Sequence, residues 1–284
     1  WNLVQEALKL SSGGNRWLEA YALGNLGLVE QARQGSAAAI PHLRAALELF
    51  RAVGDTAFEA MFLVNCGLAI GEAGRAVEAM PYLEEGMAKA LSVGYHMGHI
   101  VARMDLGCIL LGEDRAAEAR EHLEAAERMG RQLGVRLLEG MTRGELGRAL
   151  LAVGAREEAR AHLSAASAVL EPVSRSHTLR FAAYRAAAHA LEGELPAAHR
   201  GFAELEAAPE LQAEPALRAL ASLLRATVDL AELRAAPPGS EQALQAEQQL
   251  QQRLERARKA PAEEASSDLR SSLRMLERWS SPQA

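Results

Sequence analysis

Residues 63–83 read LVNCGLAIGEAGRAVEAMPYL, and residues 23–43, LGNLGLVEQARQGSAAAIPHL, carry the same punctuation one period earlier. Gly27, Gly67, Gly107 and Gly147 recur every 40 residues, preceded by Leu26, Cys66, Leu106 and Leu146. Ala39, Ala79, Ala119 and Ala159 keep that interval, as do Leu43, Leu83, Leu123 and Leu163 and the shorter column Gly54, Gly94 and Gly134. Several columns at one period mark a structural repeat, in which each unit buries its apolar face by stacking on its neighbours.

Each unit reads as two helices. In the second, Asp55 is a natural N-cap for a helix over 56–73 that Gly74 ends, and a partner helix over 76–93 closes at Gly94. A glycine inside a helix costs about 1 kcal/mol against alanine. A cost repeated at Gly27, Gly67, Gly107 and Gly147 implies a repeated cause, the close approach of the two helices of a pair. Composition agrees: 49% of the 284 residues are hydrophobic but only 4% are aromatic, which favours closely packed helices over sheets.

The Leu-Gly pair followed by Ala-x-x-x-Leu resembles the tetratricopeptide repeat (TPR) signature. It stands as Leu26, Gly27, Ala39, Leu43 and Ala46; Cys66, Gly67, Ala79 and Leu83; Leu106, Gly107, Ala119, Leu123 and Ala126; and Leu146, Gly147, Ala159, Leu163 and Ala166. The period of 40 exceeds the usual 34 or so, and Leu23, Leu63, Arg103 and Arg143 replace the aromatic that normally precedes Leu-Gly. Long-period repeats of this type resemble those of kinesin light chains and of bacterial signalling proteins: Ser/Thr kinases, STAND ATPases and LuxR- or MalT-like regulators. The resemblance implies an all-α solenoid of antiparallel helix pairs in a right-handed superhelix.

Val4, Ala7, Leu8 and Leu10 match Leu43, Ala46, Leu47 and Leu49 at an offset of 39, so the chain is expected to open inside an earlier repeat and to be part of a longer protein. The expected organisation is a second helix of a truncated repeat over 1–14, four regular repeats over 15–174, two degenerate pairs over 175–259, and a linker with a capping helix over 260–284. That last helix carries Leu269, Leu273, Leu276 and Trp279 on one face, and the sixth first helix is expected over 214–234.

First helices of such repeats line the concave groove, and the i, i+4, i+7 rule selects its wall: Tyr21, Asn25 and Leu28; Met61, Asn65 and Leu68; Val101, Asp105 and Cys108; Met141, Glu145 and Arg148; then Phe181 and Arg185. In related repeats, asparagines placed like Asn25 and Asn65 bond a bound peptide's backbone, and an amide suits this because it both donates and accepts. Met61, Met104 and Met141 would make the wall adaptable, or serve as ordinary core. Arg103, Arg143, Arg148, Arg180 and Arg185 also recur on first helices. They could form a carboxylate clamp for an acidic ligand or a free C-terminus, but the paired Lys and Asn of chaperone-binding clamps are absent, so the clamp is the lesser reading.

Other functions find little support. The net charge is −6 with no basic stripe, which argues against nucleic acid. No apolar run approaches the roughly 18 residues of a membrane span. Cys66 and Cys108 form no CxxC, as expected of a cytoplasmic chain. His42, His122 and His162 share a column, but stacked units are roughly 8–10 Å apart, too far to share one ion. His96 and His99 lack a third ligand. No nucleotide loop, nucleophile elbow or HExxH motif is present.

The reading is therefore a non-enzymatic, cofactor-free module that binds another protein or an extended peptide, as the interaction or sensor arm of a larger regulator. The Ala, Arg, Leu and Glu bias suggests a bacterial source. The alternatives are a groove for a small molecule or signalling peptide, and a scaffold that dimerises through its open N-terminal edge.

Overall fold

The computed structural model describes residues 14–261 and 266–281, so the expected half-repeat over 1–14 lies almost wholly outside the described residues. Every regular element among the described residues is helical. In chain order these are α1 (Arg16–Gln34), α2 (Ser36–Val53), α3 (Thr56–Glu72), α4 (Ala76–Ser92), α5 (His96–Gly112), α6 (Ala116–Leu133), α7 (Arg136–Ala152), α8 (Arg156–Leu170), α9 (Arg175–Leu191) and α10 (Leu195–Glu206). They are followed by α11 (Pro209–Ala213), α12 (Pro215–Leu224), α13 (Ala226–Ala235), α14 (Glu241–Arg258) and α15 (Ser267–Ser280).

The sequence columns explain these bounds. First helices begin at Arg16, Thr56, His96 and Arg136, a step of 40, and the next begins at Arg175, a step of 39. The left-handed residues that end the first helices from α3 onward keep the same count: Gly74, Asp114 and Gly154 are 40 apart, and Gly193 follows 39 later. Asp114 is the one non-glycine with positive φ among the described residues, a conformation that Asp tolerates better than most side chains. Asn15 and Asp55 cap α1 and α3 as N-cap acceptors for backbone N–H groups, satisfying donors that a helix start leaves unpaired.

The mid-helix glycines are packed as their spacing requires. A Cβ on Gly27 would meet Leu43 Cδ2 at 2.9 Å, on Gly67 Leu83 Cδ2 at 2.6 Å, and on Gly147 Leu163 Cγ at 2.7 Å. The glycine and leucine columns are thus two halves of one contact between partner helices. A second set of glycines serves the contact between successive repeats: the Phe62 ring fills the space beside Gly24, and the Phe181 ring the space beside Gly144.

The chain divides into two units, Trp1–Ile109 and Leu110–Ala284, with the division inside α5. The core of the first is built from Ala39, Leu43, Leu47, Phe50, Phe62, Leu63, Cys66 and Ile70, with Trp17 and Phe58 packed against it. In the second, α7 and α9 pair with α8 and α10, and a further core joins Leu223, Leu230, Leu250, Leu254, Leu269 and Leu276. The first helix expected over 214–234 is broken into α12 and α13 at Arg225. There Thr227 Oγ1 donates to the Leu224 carbonyl at 2.8 Å, the kind of side-chain bond that competes with regular helix.

Candidate functional site

In the first unit, the first-helix residues selected from sequence keep contact with solvent. Tyr21 and Leu28 are exposed, Asn25, Met61, Asn65, Leu68, Val101 and Cys108 are half-buried, and Asp105 is buried. Asn25 donates one N–H to the Tyr21 carbonyl at 2.9 Å, which leaves its amide oxygen and second N–H for other partners. Tyr21 stacks on Trp17 with ring centroids 5.4 Å apart and meets Phe58 edge-on at 6.0 Å. The Trp17 indole N–H donates to Asp55 at 2.9 Å. One end of this face is thus a rigid aromatic shelf and the rest a row of amide and apolar side chains.

In the second unit, the equivalent face is covered by α15. Ser266 caps this helix, accepting from the Leu269 N–H at 3.1 Å. Its apolar side, with Leu269 and Leu276, packs on α12, α13 and α14, as the i, i+4, i+7 pattern predicts. Its other side bears Asp268, Ser271, Ser272, Met275 and Arg278 and lies on the first helices. Asp268 accepts from Arg148 at 2.7 Å and is bridged by Arg180. Ser271 Oγ accepts from Arg148 at 3.0 Å, and the hydroxyls of Ser272 and Tyr184 share a hydrogen bond of 2.8 Å. Arg278 pairs with Asp114. Beneath these contacts Glu145 binds both arginines, Arg148 at 2.6 Å and Arg180 more closely.

Glu145 and Arg148 are buried, at 2% and 5% exposed, and Arg180 and Asp268 are half-buried. Burial alone would push the Asp268 carboxyl up, but the guanidiniums of Arg148 and Arg180 outweigh it and hold it down to about 2. Burial opposes the charge of Arg180, and Asp268 with Glu145 reverses that and raises its pKa. The Tyr184 hydroxyl is driven up by burial, and His177 is pushed down by burial and by Arg180. The arrangement is a carboxylate held between two guanidiniums, the geometry in which Arg reads acids.

Of the residues the sequence assigns to the groove wall, Glu145 and Arg148 are buried, Arg148 against Asp268 and Ser271 of α15 and Glu145 against Arg148 and Arg180. Phe181 requires correction as a groove residue. It is fully buried, with its ring against Gly144. The cause is the single 39-residue step before α9, which shifts the face by one residue, so that Arg180 and Tyr184 occupy the places assigned to Phe181 and Arg185. The interval from Gly154 to Gly193 carried this signal in the sequence. Asp268 and Ser272 were missed as site residues because no period relates α15 to the repeats.

Elsewhere, burial pushes the Cys66 thiol up to about 12, so it is protonated and unreactive at neutral pH. Among the described residues His189, Glu192 and Glu194 lie close enough to hold an ion. Arg160 already bridges both carboxylates at 2.9 Å, which accounts for the cluster as an ion pair. No helix among the described residues is long and apolar enough to cross a membrane.

No family model matches the sequence, and no curated protein does either. Solved structures do match. A Rap protein complexed with competence and sporulation factor superposes with a TM-score of 0.70 at 16% identity, over 98% of this chain and 79% of that one. A kinesin light chain with nearly identical TPR-like repeats, from Podosopora anserina, gives 0.55 at 18% identity, over 68% and 95%. The STAND protein with a tetratricopeptide-repeat sensor from Pyrococcus horikoshii gives 0.61 at 14%, over 89% of this chain and 38% of that one. The fold is of the TPR type. At these identities the TPR likeness concerns architecture, and within it the first-helix faces described above are where the two units differ: one face is open and the other is filled.

Proposed function

We propose that this TPR chain is a non-enzymatic module that binds a protein or peptide through its first-helix faces, as the interaction or sensor arm of a larger bacterial, cytoplasmic regulator. One observation carries the reading. The same face that α15 occupies in the second unit keeps contact with solvent in the first, where Tyr21, Asn25, Leu28, Met61, Asn65 and Leu68 are exposed or half-buried and the two amides stand one repeat apart. An extended peptide offers alternating side chains and unpaired backbone groups, and a face of apolar and amide side chains complements both. The Rap structure was solved with competence and sporulation factor bound, and the STAND relative is described as carrying a repeat sensor; both lend support by analogy.

The test is affinity capture from the native lysate, identification of the bound polypeptide, and calorimetry of that polypeptide with wild type and with Asn25→Ala/Asn65→Ala. Each lost neutral hydrogen bond costs about 0.5–1.5 kcal/mol. The double variant is therefore expected to bind roughly 5- to 150-fold more weakly if the two losses add. Equal affinity for both chains would remove this face from the mechanism.

A further inference from the structure

On the other side of α7 from α15, a cavity of about 240 Å³ opens between α6 and α8. Its floor is Leu146 and Leu150 of α7, both buried. One wall is α6, through Arg120, Glu124, Glu127 and Arg128, whose i, i+4, i+7 and i+8 spacing puts them on one helix face. The other wall is α8, through Glu158 and His162.

The repeat does not by itself demand such a space. Two 40-residue periods earlier, the places of Arg120, Glu127 and His162 are held by Ile40, Leu47 and Tyr82. Ile40 and Leu47 are part of the buried core there, and Tyr82 packs against it. The Arg44 guanidinium lies over the Tyr82 ring, 5.6 Å from its centre. In the second unit a smaller imidazole stands where that phenol would be, and charged groups stand where the two aliphatic side chains would be. An apolar seam is thus replaced by an apolar floor with polar walls.

The charges on these walls are unevenly met. Glu127 has two guanidiniums, Arg143 at 3.1 Å and Arg131 at 3.9 Å. Glu124 and Glu158 share one, Arg120, at 2.6 Å and 3.7 Å. Arg128 is exposed and has no carboxylate partner among the described residues. The rim therefore carries a surplus of negative charge at Glu124 and Glu158, and a surplus of positive charge at Arg128, one helical turn further along α6. Burial pushes His162 down, towards its neutral form. A neutral imidazole has one donor and one acceptor nitrogen, and neither is engaged among the described residues.

We infer that this cavity is a binding site for a free apolar α-amino acid. The ammonium group meets Glu124 and Glu158, the carboxylate meets Arg128, and the side chain lies on Leu146 and Leu150. His162 hydrogen-bonds the head group. A simple acid or a simple amine would satisfy one end of the rim and leave the other unmet, whereas a zwitterion satisfies both and adds no net charge. Drug-sized sites run to about 300–1,000 Å³, so the volume suits a smaller molecule with a compact side chain. The site goes beyond the peptide-binding reading, which concerns the face of the first unit.

The experiment is calorimetry on the full chain with valine, leucine, isoleucine, methionine and phenylalanine, each also supplied as its amide and its N-acetyl derivative. At least one of the five is expected to bind saturably. Its amide, which lacks the carboxylate, and its N-acetyl form, which lacks the ammonium, should each bind at least about tenfold more weakly, as expected for loss of a charged hydrogen-bonding group. Arg128→Gln should cost at least about tenfold as well. His162→Tyr, which installs the residue of the earlier groove, should abolish binding. Thermal melting checks that both variants fold; if His162→Tyr does not, Arg128→Gln decides alone, because an exposed side chain without a partner can be changed without loss of packing. Hydrogen exchange should slow in α6 and α8 when the amino acid is bound. Absence of saturable binding by all five overturns the inference. So does equal binding of a charge-stripped derivative, unchanged affinity in either folded variant, or slowed exchange confined to other helices.

Discussion

At the scale of single residues, the repeat is enforced by what cannot be larger. Gly67 sits where any Cβ would lie 2.6 Å from Leu83 Cδ2 and 3.3 Å from the Leu83 backbone nitrogen. A leucine side chain can turn away from such a clash, whereas a backbone nitrogen in a packed helix cannot. Alanine at position 67 would gain about 1 kcal/mol of helix propensity, and overpacking typically costs about 1–3 kcal/mol. Gly67→Ala is therefore expected to be neutral to destabilising, and Gly67→Leu clearly destabilising. On a Leu83→Ala background the penalty for Gly67→Ala should shrink, since the two positions share one volume. Chemical denaturation of the four chains checks this, and strictly additive effects would mean that the two positions do not meet. The glycine contacts were legible in the sequence for this reason: an unfavourable residue repeated at a fixed interval points to a steric requirement. The aromatic fillers were less legible. Phe62 and Phe181 do the same job beside Gly24 and Gly144, but they lie 119 positions apart instead of 120, and strict periodicity put Phe181 on the wrong face.

At the scale of elements, α15 has two readings in one sequence. Its apolar stripe of Leu269, Leu273, Leu276 and Trp279 was legible as a face that must be buried, and it packs on α12, α13 and α14. Its other face was not legible, because Asp268, Ser271 and Ser272 look like ordinary solvated helix residues until Arg148 and Arg180 are brought to them from 120 and 88 residues away. Tertiary pairing of distant charges leaves no local pattern to read. The same pairing sets a pH dependence. The Asp268 carboxyl is held at about 2 in the fold, against 3.8 for an unperturbed aspartate. A depressed folded-state value means that the charged form is favoured by folding. Its contribution, about 2 kcal/mol, is whole above pH 4 or so and fades as the pH falls towards 2. Hydrogen exchange of α15 should accordingly rise through that window. In Asp268→Asn the α15 contribution to that rise should vanish, with exchange already faster at neutral pH. A wild-type α15 as protected at pH 2.5 as at pH 6 would contradict the charge-led contact.

For the molecule as a whole, the question is how far a disturbance spreads. Solenoid units touch mainly their neighbours, so stability is close to a sum of local terms rather than a property of one central core. Contacts in this chain cluster into two units divided within α5, and each has its own buried phenylalanine between successive repeats, Phe62 in the first and Phe181 in the second. Truncating such a side chain to alanine typically costs about 3–5 kcal/mol, from lost burial together with the cavity it leaves. In a protein with one global unfolding transition, that loss would appear at every amide that exchanges by global opening. In a repeat array it should fall mostly on the unit that holds the cavity. Phe62→Ala is thus expected to speed exchange across α1 to α4 while α9 to α14 keep most of their protection, and Phe181→Ala should do the reverse. Hydrogen-exchange mass spectrometry under native conditions reads both. Uniform loss of protection from either variant would show that the chain opens as a single cooperative body. Segregated loss would mean that a ligand on the face of the first unit and a segment on the face of the second stabilise separate parts of the chain, since binding protects the amides of the part it holds closed.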